Sequence, residues 1–445
     1  MTAPQVYIRD IGAHDGQTVT LKGWLFNRRS SKKLRFLQVR DGTGFIQAVV
    51  VKGEVDEALF EETDRIPQES SVIITGTVRK DDRAPYCGHE MGVTAVQVVQ
   101  AAEEYPISKK DHGDAFLMDN RHLWLRSFKQ HTILRVRATI IRAIRDYLDD
   151  HGFVCMDSPI FTPAACEGTT TLFETKYFDT TAYLSQSGQL YQEAGCMALG
   201  KTYCFGPTFR SEKSKTRRHL TEFWMVEPEA AFLDLDGDMA LIEDFLCSIV
   251  ARVLDVHGKE LQERLERDLA PLEKVQKPFP RITYDDALRQ LAEIREACQD
   301  PELKQQLEIT WGMDFGSPHE TELTKRYDRP LMVHRWPAEC KAFYMKKAED
   351  NPKIALGVDV LAPEGYGEIV GGAQREDDLG KLVAEIERHK LPMEEFGWFL
   401  DLRRYGSVPH AGFGMGLERT VGWICGLHHV RETIPFARTL DRLRP

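Results

Sequence analysis

The chain has 445 residues, 42% hydrophobic and 29% charged, with a formal net charge of −11. This is the composition of an ordinary soluble protein long enough for two or three domains. It excludes a membrane protein, since no apolar run approaches the ~20 residues of a span, and a nucleic-acid binder driven by overall charge, so any such contact must come from local basic patches. The nine cysteines are odd in number and lack any CxxC spacing, so reduced thiols are expected and a zinc site is not. The opening MTAPQVYIRD has neither a signal-peptide core nor a transit pattern, so a cytoplasmic location is expected.

Taken in order, the first hundred residues are rich in short β-like runs: VTLKGWLFNRR, LRFLQVRDG, FIQAVVV, SVIITGTVRK and MGVTAVQVVQ. Asp41-Gly42-Thr43-Gly44 is a good hairpin turn between two of them. This predicts a small barrel over residues 1–103. The pattern then loosens, and 104–130 is expected to be a linker. From His131 to Asp150, Ile133, Val136, Ile140, Ile141, Ile144 and Leu148 are spaced for one face of a helix that Gly152 ends. The strand FVCMDSPIFTP and the small loop Glu167-Gly168-Thr169-Thr170 follow.

Residues 195–202 match the phosphate-loop pattern GxxxxGK[ST] letter for letter. Such a loop must leave a strand and enter a helix, so that backbone N–H groups meet phosphate. Here the match closes a helix-like segment, QLYQEAGCMALG, and enters a strand, TYCFGPTF. Gly200 therefore reads as a helix C-cap.

Residues 202–229, TYCFGPTFRSEKSKTRRHLTEFWMVEPE, read as strand, basic loop, strand. Arg210, Lys213, Lys215, Arg217, Arg218 and His219 supply enough positive charge to grip a polyphosphate. Phe223 offers a ring face to a purine, and Glu222, Glu227 and Glu229 offer acceptors for an ammonium or amide. A charged hairpin is also an ordinary solvated surface feature, and it is a second stretch that favours a site. GFGMGLER, from Gly412 to Arg419, is a glycine-rich strand running into a helix whose first turn carries Arg419. Between the two lie an amphipathic helix, DGDMALIEDFLCSIVARVLDVHG, a segment around 255–330 that looks inserted, and a second acidic element, ALGVDVLAPEGYGEIVGGAQRE.

FR…RHLxEF and GxGxER, in this order, resemble motifs 2 and 3 of the class II aminoacyl-tRNA synthetases. The N-terminal strands resemble the OB-fold anticodon-binding domain of the aspartyl and asparaginyl members. The resemblance covers nearly the whole chain and is closest to the asparaginyl members through LSQSGQLYQEA, FRSEKSKTRRHLTEFWMVEPE and GSVPHAGFG. It implies an α+β chain with an OB-fold β-barrel at 1–103 and, at 131–445, a class II catalytic domain built on an antiparallel sheet flanked by helices. The helix from His131 and the strand ending near Pro159 match motif 1, the dimer interface of the class, so a homodimer is implied.

The resemblance also implies substrates and roles: L-asparagine, ATP with Mg²⁺, and tRNA(Asn). Arg210, Glu368 and Arg419 match catalytic positions. Glu212, Arg218, His219, Phe223 and Gly416 match further ATP-binding positions, and Asp359 with Glu368 match metal ligands, where hard oxygens suit magnesium. Glu167, Ser187, Gln189, Gln192, Glu227 and Arg375 match the amino-acid site, and Arg28, Phe36 and Gln47 the anticodon site. Read without the family, Phe36 is as easily a core residue. Aspartyl enzymes carry lysine where this chain has Gln192, and aspartate where it has Glu227. Losing a cation and extending an anion disfavours a second carboxylate and suits a carboxamide. The rivals are a non-discriminating aspartyl synthetase, against which Gln192 and Glu227 speak, an ammonia-dependent asparagine synthetase, which has no use for the barrel, and a non-catalytic RNA-binding paralogue, which has no reason to keep Arg210, Glu368 and Arg419.

Overall fold

A computed structural model describes residues 3–108, 110–163, 172–214 and 216–445. The chain forms two compact units, Met1–Leu117 and Met118–Pro445. In the first, β1 (Thr18–Ser30), β2 (Leu34–Arg40), β3 (Phe45–Val51), β4 (Ser71–Lys80) and β5 (His89–Gln100) close into a barrel in the order β1-β2-β3-β5-β4. Period-two alternation drives closure: every second residue along most of β4 is buried, and Val19, Leu21, Leu37, Val39, Ile46 and Ala48 help fill the interior. The β2–β3 turn is pinned by Asp41, whose Oδ1 accepts from the N–H groups of Thr43 (2.8 Å) and Gly44 (3.1 Å).

The second unit contains β6 (Val154–Cys155), β7 (Phe161–Thr162), β8 (Glu174–Tyr177), β9 (Thr180–Leu184), β10 (Lys201–Phe209), β11 (Glu222–Ala231), β12 (Arg281–Thr283), β13 (Leu331–Pro337), β14 (Ile354–Ala362), β15 (Gly367–Gln374) and β16 (His410–Gly416). Eight of them form one sheet in the order β12-β13-β14-β15-β16-β11-β10-β6, and β7-β9-β8 form a small second sheet. The expected antiparallel sheet is corrected at both edges, where β12 runs parallel to β13 and β6 parallel to β10. Each parallel pair is joined by a helical crossover, as parallel pairing requires: Tyr284–Ala297 lies on the first and Gln189–Leu199 on the second.

Helices Phe128–Asp150 and Leu235–Leu265 cover one face of the sheet, burying Ile133, Val136, Ile140 and Ile144 together with Ile242, Phe245, Leu246 and Ile249. Ser127 caps the first helix by accepting from the Gln130 N–H, so it starts ahead of the expected His131. The expected boundaries shift in two further places. Arg121 is buried in the second unit, donating to the carbonyls of Glu432, Ile434 and Pro435, so the end of the expected linker is part of that unit's core. Helix Leu235–Leu265 passes unbroken through residue 255, and the segment after it adds the edge strand β12 and a core around Tyr284, Leu291, Leu323 and Trp336. Gly200, with φ of +82°, caps helix Gln189–Leu199 immediately before β10, so the phosphate-loop match is a helix end. Among the described residues no helix is long and apolar enough to cross a membrane, and the eight cysteines are free thiols.

Candidate active site

The β10–β11 ribbon sets the site. In its register Thr208 faces Phe223, Cys204 faces Glu227 and Thr202 faces Glu229. Alternation along β11 turns Phe223, Met225, Glu227 and Glu229 to the face opposite the helices, while Val226 joins the helix-side core. Two adjoining cavities of about 90 and 460 Å³ open on that face, and Arg210, Met225, Glu368 and Gly414 line both, making one cleft.

The smaller cavity brings together Arg210, Arg218, His219, Phe223, Glu368, Gly416 and Arg419. The Arg210 guanidinium lies 5.4 Å from the Phe223 ring centroid, and its Nε is buried without a partner among the described residues. Arg419 opens helix Leu417–Cys425 and donates Nη1 to the Glu368 carbonyl (2.9 Å) and to Oε2 (3.3 Å). Glu418 locks that helix from behind, paired with Arg137 at 2.7 Å and accepting from the Trp224 N–H at 2.9 Å. Burial and the adjacent Arg419 lower the His219 pKa, which favours the neutral ring. Glu212 lies in a small side cleft that Arg210 and His219 also line, together with Ser214, Thr439 and Leu440.

The acidic element lies where the cavities meet. Asp359 gives Oδ2 to Lys341 Nζ at 2.6 Å, and Glu368 gives Oε2 to Arg419, so each carboxylate spends one oxygen on a protein cation. The other oxygens converge: a Cβ built on Gly371 would stand 3.1 Å from Glu368 Oε1 and 3.8 Å from Asp359 Oδ1. Burial pushes Asp359 up to about 7 against the pull of Lys341, with Glu368 adding to the rise. Burial alone would also raise Glu368, but Arg419, Lys341 and Arg210 hold it below its ordinary value. Two hard oxygens facing one space floored by glycine fit magnesium.

At the far end of the larger cavity Arg375 pairs with Glu229 through Nε (3.0 Å) and Nη2 (2.9 Å), leaving Nη1 without a partner among the described residues. Glu227 is oriented by the Ser187 hydroxyl on Oε1, and by the Gly188 N–H (2.8 Å) and Cys204 thiol (3.4 Å) on Oε2. Gln189 lines the same space and donates to Glu193 at 3.1 Å. Gln192 does not line it. It is fully buried, donating to Met156 O (2.8 Å) and Ser158 Oγ (3.0 Å) in the segment after β6. Glu167 lies outside the described residues. Beneath the pocket Glu193 is held by Arg403 (2.6 Å) and His410 (3.0 Å). Glu193, Glu229 and His410 have the spacing of metal ligands, but both carboxylates already carry guanidinium partners, which makes them a buried ion-pair network.

The family model for tRNA synthetases class II (D, K and N) matches residues 113–440, and that for the OB-fold nucleic acid binding domain matches 19–99. The chain is 58% identical to an asparagine--tRNA ligase of Sorangium cellulosum and 57% identical to that of Koribacter versatilis. The matches cover 99% and 100% of this chain and 99% of each relative. It belongs to the class II tRNA synthetases, in the asparagine--tRNA ligase branch. Its fold matches the crystal structure of asparaginyl-tRNA synthetase from Pyrococcus horikoshii complexed with asparaginyl-adenylate, with a TM-score of 0.92, 44% identity and full coverage of both chains.

In the barrel of this class II synthetase, Phe36 is half-buried and outside the core cluster, because Leu37 and Val39 take the inward positions of β2. Gln47, set between the inward Ile46 and Ala48, shares the outward face. Arg28 is not beside them: it stands opposite the inward Leu37 and donates to the Ile66 carbonyl, while the exposed Arg29 stands opposite Phe36. The synthetase's cleft also holds residues that the sequence did not single out as site residues. Glu229 was the nearest to being found, two positions after Glu227 on one strand face. Lys341 opens the run KAFYM, which resembles the asparaginyl members, while Asp314 and Glu320 come from a stretch without a local signal.

Proposed function

We infer that this synthetase forms asparaginyl-adenylate from L-asparagine and ATP, releasing pyrophosphate, and then transfers the asparaginyl group to tRNA(Asn), releasing AMP. One observation supports the choice of amino acid: a guanidinium, Arg375, and a carboxylate, Glu227, both line the larger cavity. A carboxamide satisfies both, its oxygen accepting from Arg375 and its NH₂ donating to Glu227, whereas aspartate sets a second carboxylate against Glu227.

The roles follow the cleft from one end to the other. Adenine stacks on Phe223 with Arg419 above it, and Gly416 lets the nucleotide approach the helix. Arg210 holds the α-phosphate while a carboxylate oxygen of asparagine attacks phosphorus, and the bond to pyrophosphate breaks as the new one forms. The unpartnered Nε of Arg210 supports this role. Arg218 and Arg419 balance the charge of the leaving pyrophosphate, and neutral His219 contributes an N–H. Asp359 and Glu368 hold magnesium, which when bound offsets phosphate charge. Ser187 keeps Glu227 aimed, Gln189 steadies the pocket through Glu193, and Glu167 closes over the ammonium. No protein nucleophile is needed, so rate comes from positioning and electrostatic stabilisation. Phe36, Gln47 and the neighbouring Arg29 read the anticodon. The enzyme acts in the cytoplasm as a homodimer through the motif 1 helix and strand.

Charging of tRNA(Asn) with labelled asparagine tests the proposal. Asparagine-dependent, ATP-dependent acid-precipitable product is expected, and a folded protein that gives none contradicts it.

A further inference from the structure

Helix Ser317–Thr324, in a stretch of sequence that carried no motif, reaches the phosphate end of the cleft and grips Arg218. Arg218 Nη1 donates to Glu320 Oε2 at 2.6 Å, and Nη2 donates to Thr321 Oγ1 at 3.1 Å and to the Gly365 carbonyl. The pair closes over Gly367, where a Cβ would come within 2.2 Å of Glu320 Oε2 and 2.3 Å of Arg218 Nη1, so only glycine leaves it room. Glu320 lines the larger cavity beside Asp359 and Glu368, and Arg218 lines the smaller one. The side chains are 11% and 13% exposed, and an ion pair so enclosed is a poor way to add stability, since well-packed apolar side chains do as well. What it does provide is a fixed direction for a guanidinium fork at the rim of a phosphate site.

We propose that Glu320, assisted by Thr321, is a positioning residue for adenylation, holding Arg218 ready for the polyphosphate of ATP. This rests on the adenylation proposal above. Glu320 touches Arg218 and not the reacting atoms, so its effect must pass through Arg218. A helix far from the motifs in sequence thereby completes the anion site, and ATP affinity becomes tied to the seating of that helix.

The test is a double-mutant cycle on the full-length enzyme at fixed Mg²⁺, reading the ATP dissociation constant by equilibrium dialysis and KM for both substrates by pyrophosphate exchange. Glu320→Gln should weaken ATP binding about tenfold and leave the asparagine KM unchanged, and in an Arg218→Ala background it should add nothing. Thr321→Val, nearly equal in volume, should weaken ATP binding in the same direction. An equal loss in both backgrounds would mean that Glu320 acts elsewhere, on the metal or on the fold, and wild-type ATP affinity in Glu320→Gln would also overturn the proposal. Failure of the wild-type enzyme to bind ATP would instead strike the adenylation proposal itself.

Discussion

In the proposed mechanism Glu227 and Arg375 choose the amino acid, and each is held by neighbours within the protein: Ser187, Gly188 and Cys204 for the first, Glu229 for the second. Glu227→Gln removes the repulsive charge and keeps one acceptor oxygen, enough for the Gly188 N–H and the Cys204 thiol, which share Oε2, but not also for the Ser187 hydroxyl on Oε1. The aspartate-to-asparagine ratio in pyrophosphate exchange should rise roughly thirtyfold or more, about 2 kcal/mol, because a hydrogen bond to a charged group is replaced by one to a neutral amide. An unchanged ratio would mean that Glu227 does not read the side chain. Beneath them, Glu193 is held at about 2: burial opposes ionisation, but Arg403 and His410 more than offset it. A folded pKa below the ordinary 4.5 contributes stability that is fully present above pH 4.5 and is lost as pH falls towards 2. Glu193→Gln should therefore cost about 3 kcal/mol or more at pH 7, since it leaves Arg403 buried without its counter-charge. Urea unfolding of both proteins checks this, and the gap should narrow as pH drops below 4.5.

At the scale of elements, whatever depended on local pattern could be read in advance. The five barrel runs, the Asp41 turn, the Ile133-to-Leu148 helix face and the ribbon around Phe223 follow from alternation, helical spacing and turn chemistry, all of which act over a few residues. Gln192 shows where such reading stops. Its position in the motif was legible, but that its amide would bond Met156 and Ser158 and not line the cavity depended on a contact between separate segments of the chain. The parallel sheet edges and the arrival of Glu320 at the cleft were hidden for the same reason. Gly371 tests the acidic element: Gly371→Ala places a methyl 3.1 Å from Glu368 Oε1, so the Mg²⁺ concentration needed for half-maximal exchange should rise severalfold while unfolding stability changes little. On β2, Phe36→Ala should weaken tRNA charging by ~1–3 kcal/mol through lost stacking and leave pyrophosphate exchange untouched. Equal losses in both assays would return Phe36 to a structural role.

At the scale of the molecule, two units divide the work. A barrel whose core is complete without Phe36 or Gln47 leaves its outward face available for single-stranded RNA, and the strands of a mixed sheet turn Phe223, Met225, Glu227, Glu229 and Glu368 to the cleft, with helices Phe128–Asp150 and Leu235–Leu265 on the other face. In the proposed account the amino-acid choice rests on the longer carboxylate of Glu227, where aspartyl enzymes carry an aspartate, at one end of that cleft. ATP–pyrophosphate exchange with asparagine and aspartate side by side measures that choice in the wild-type enzyme without any tRNA. Asparagine should drive exchange and aspartate should fall about a thousandfold behind, the effect of roughly 4 kcal/mol of repulsion and lost hydrogen bonding. Exchange driven by aspartate to within about tenfold of asparagine would contradict the assignment of Glu227 and Arg375 as a carboxamide site.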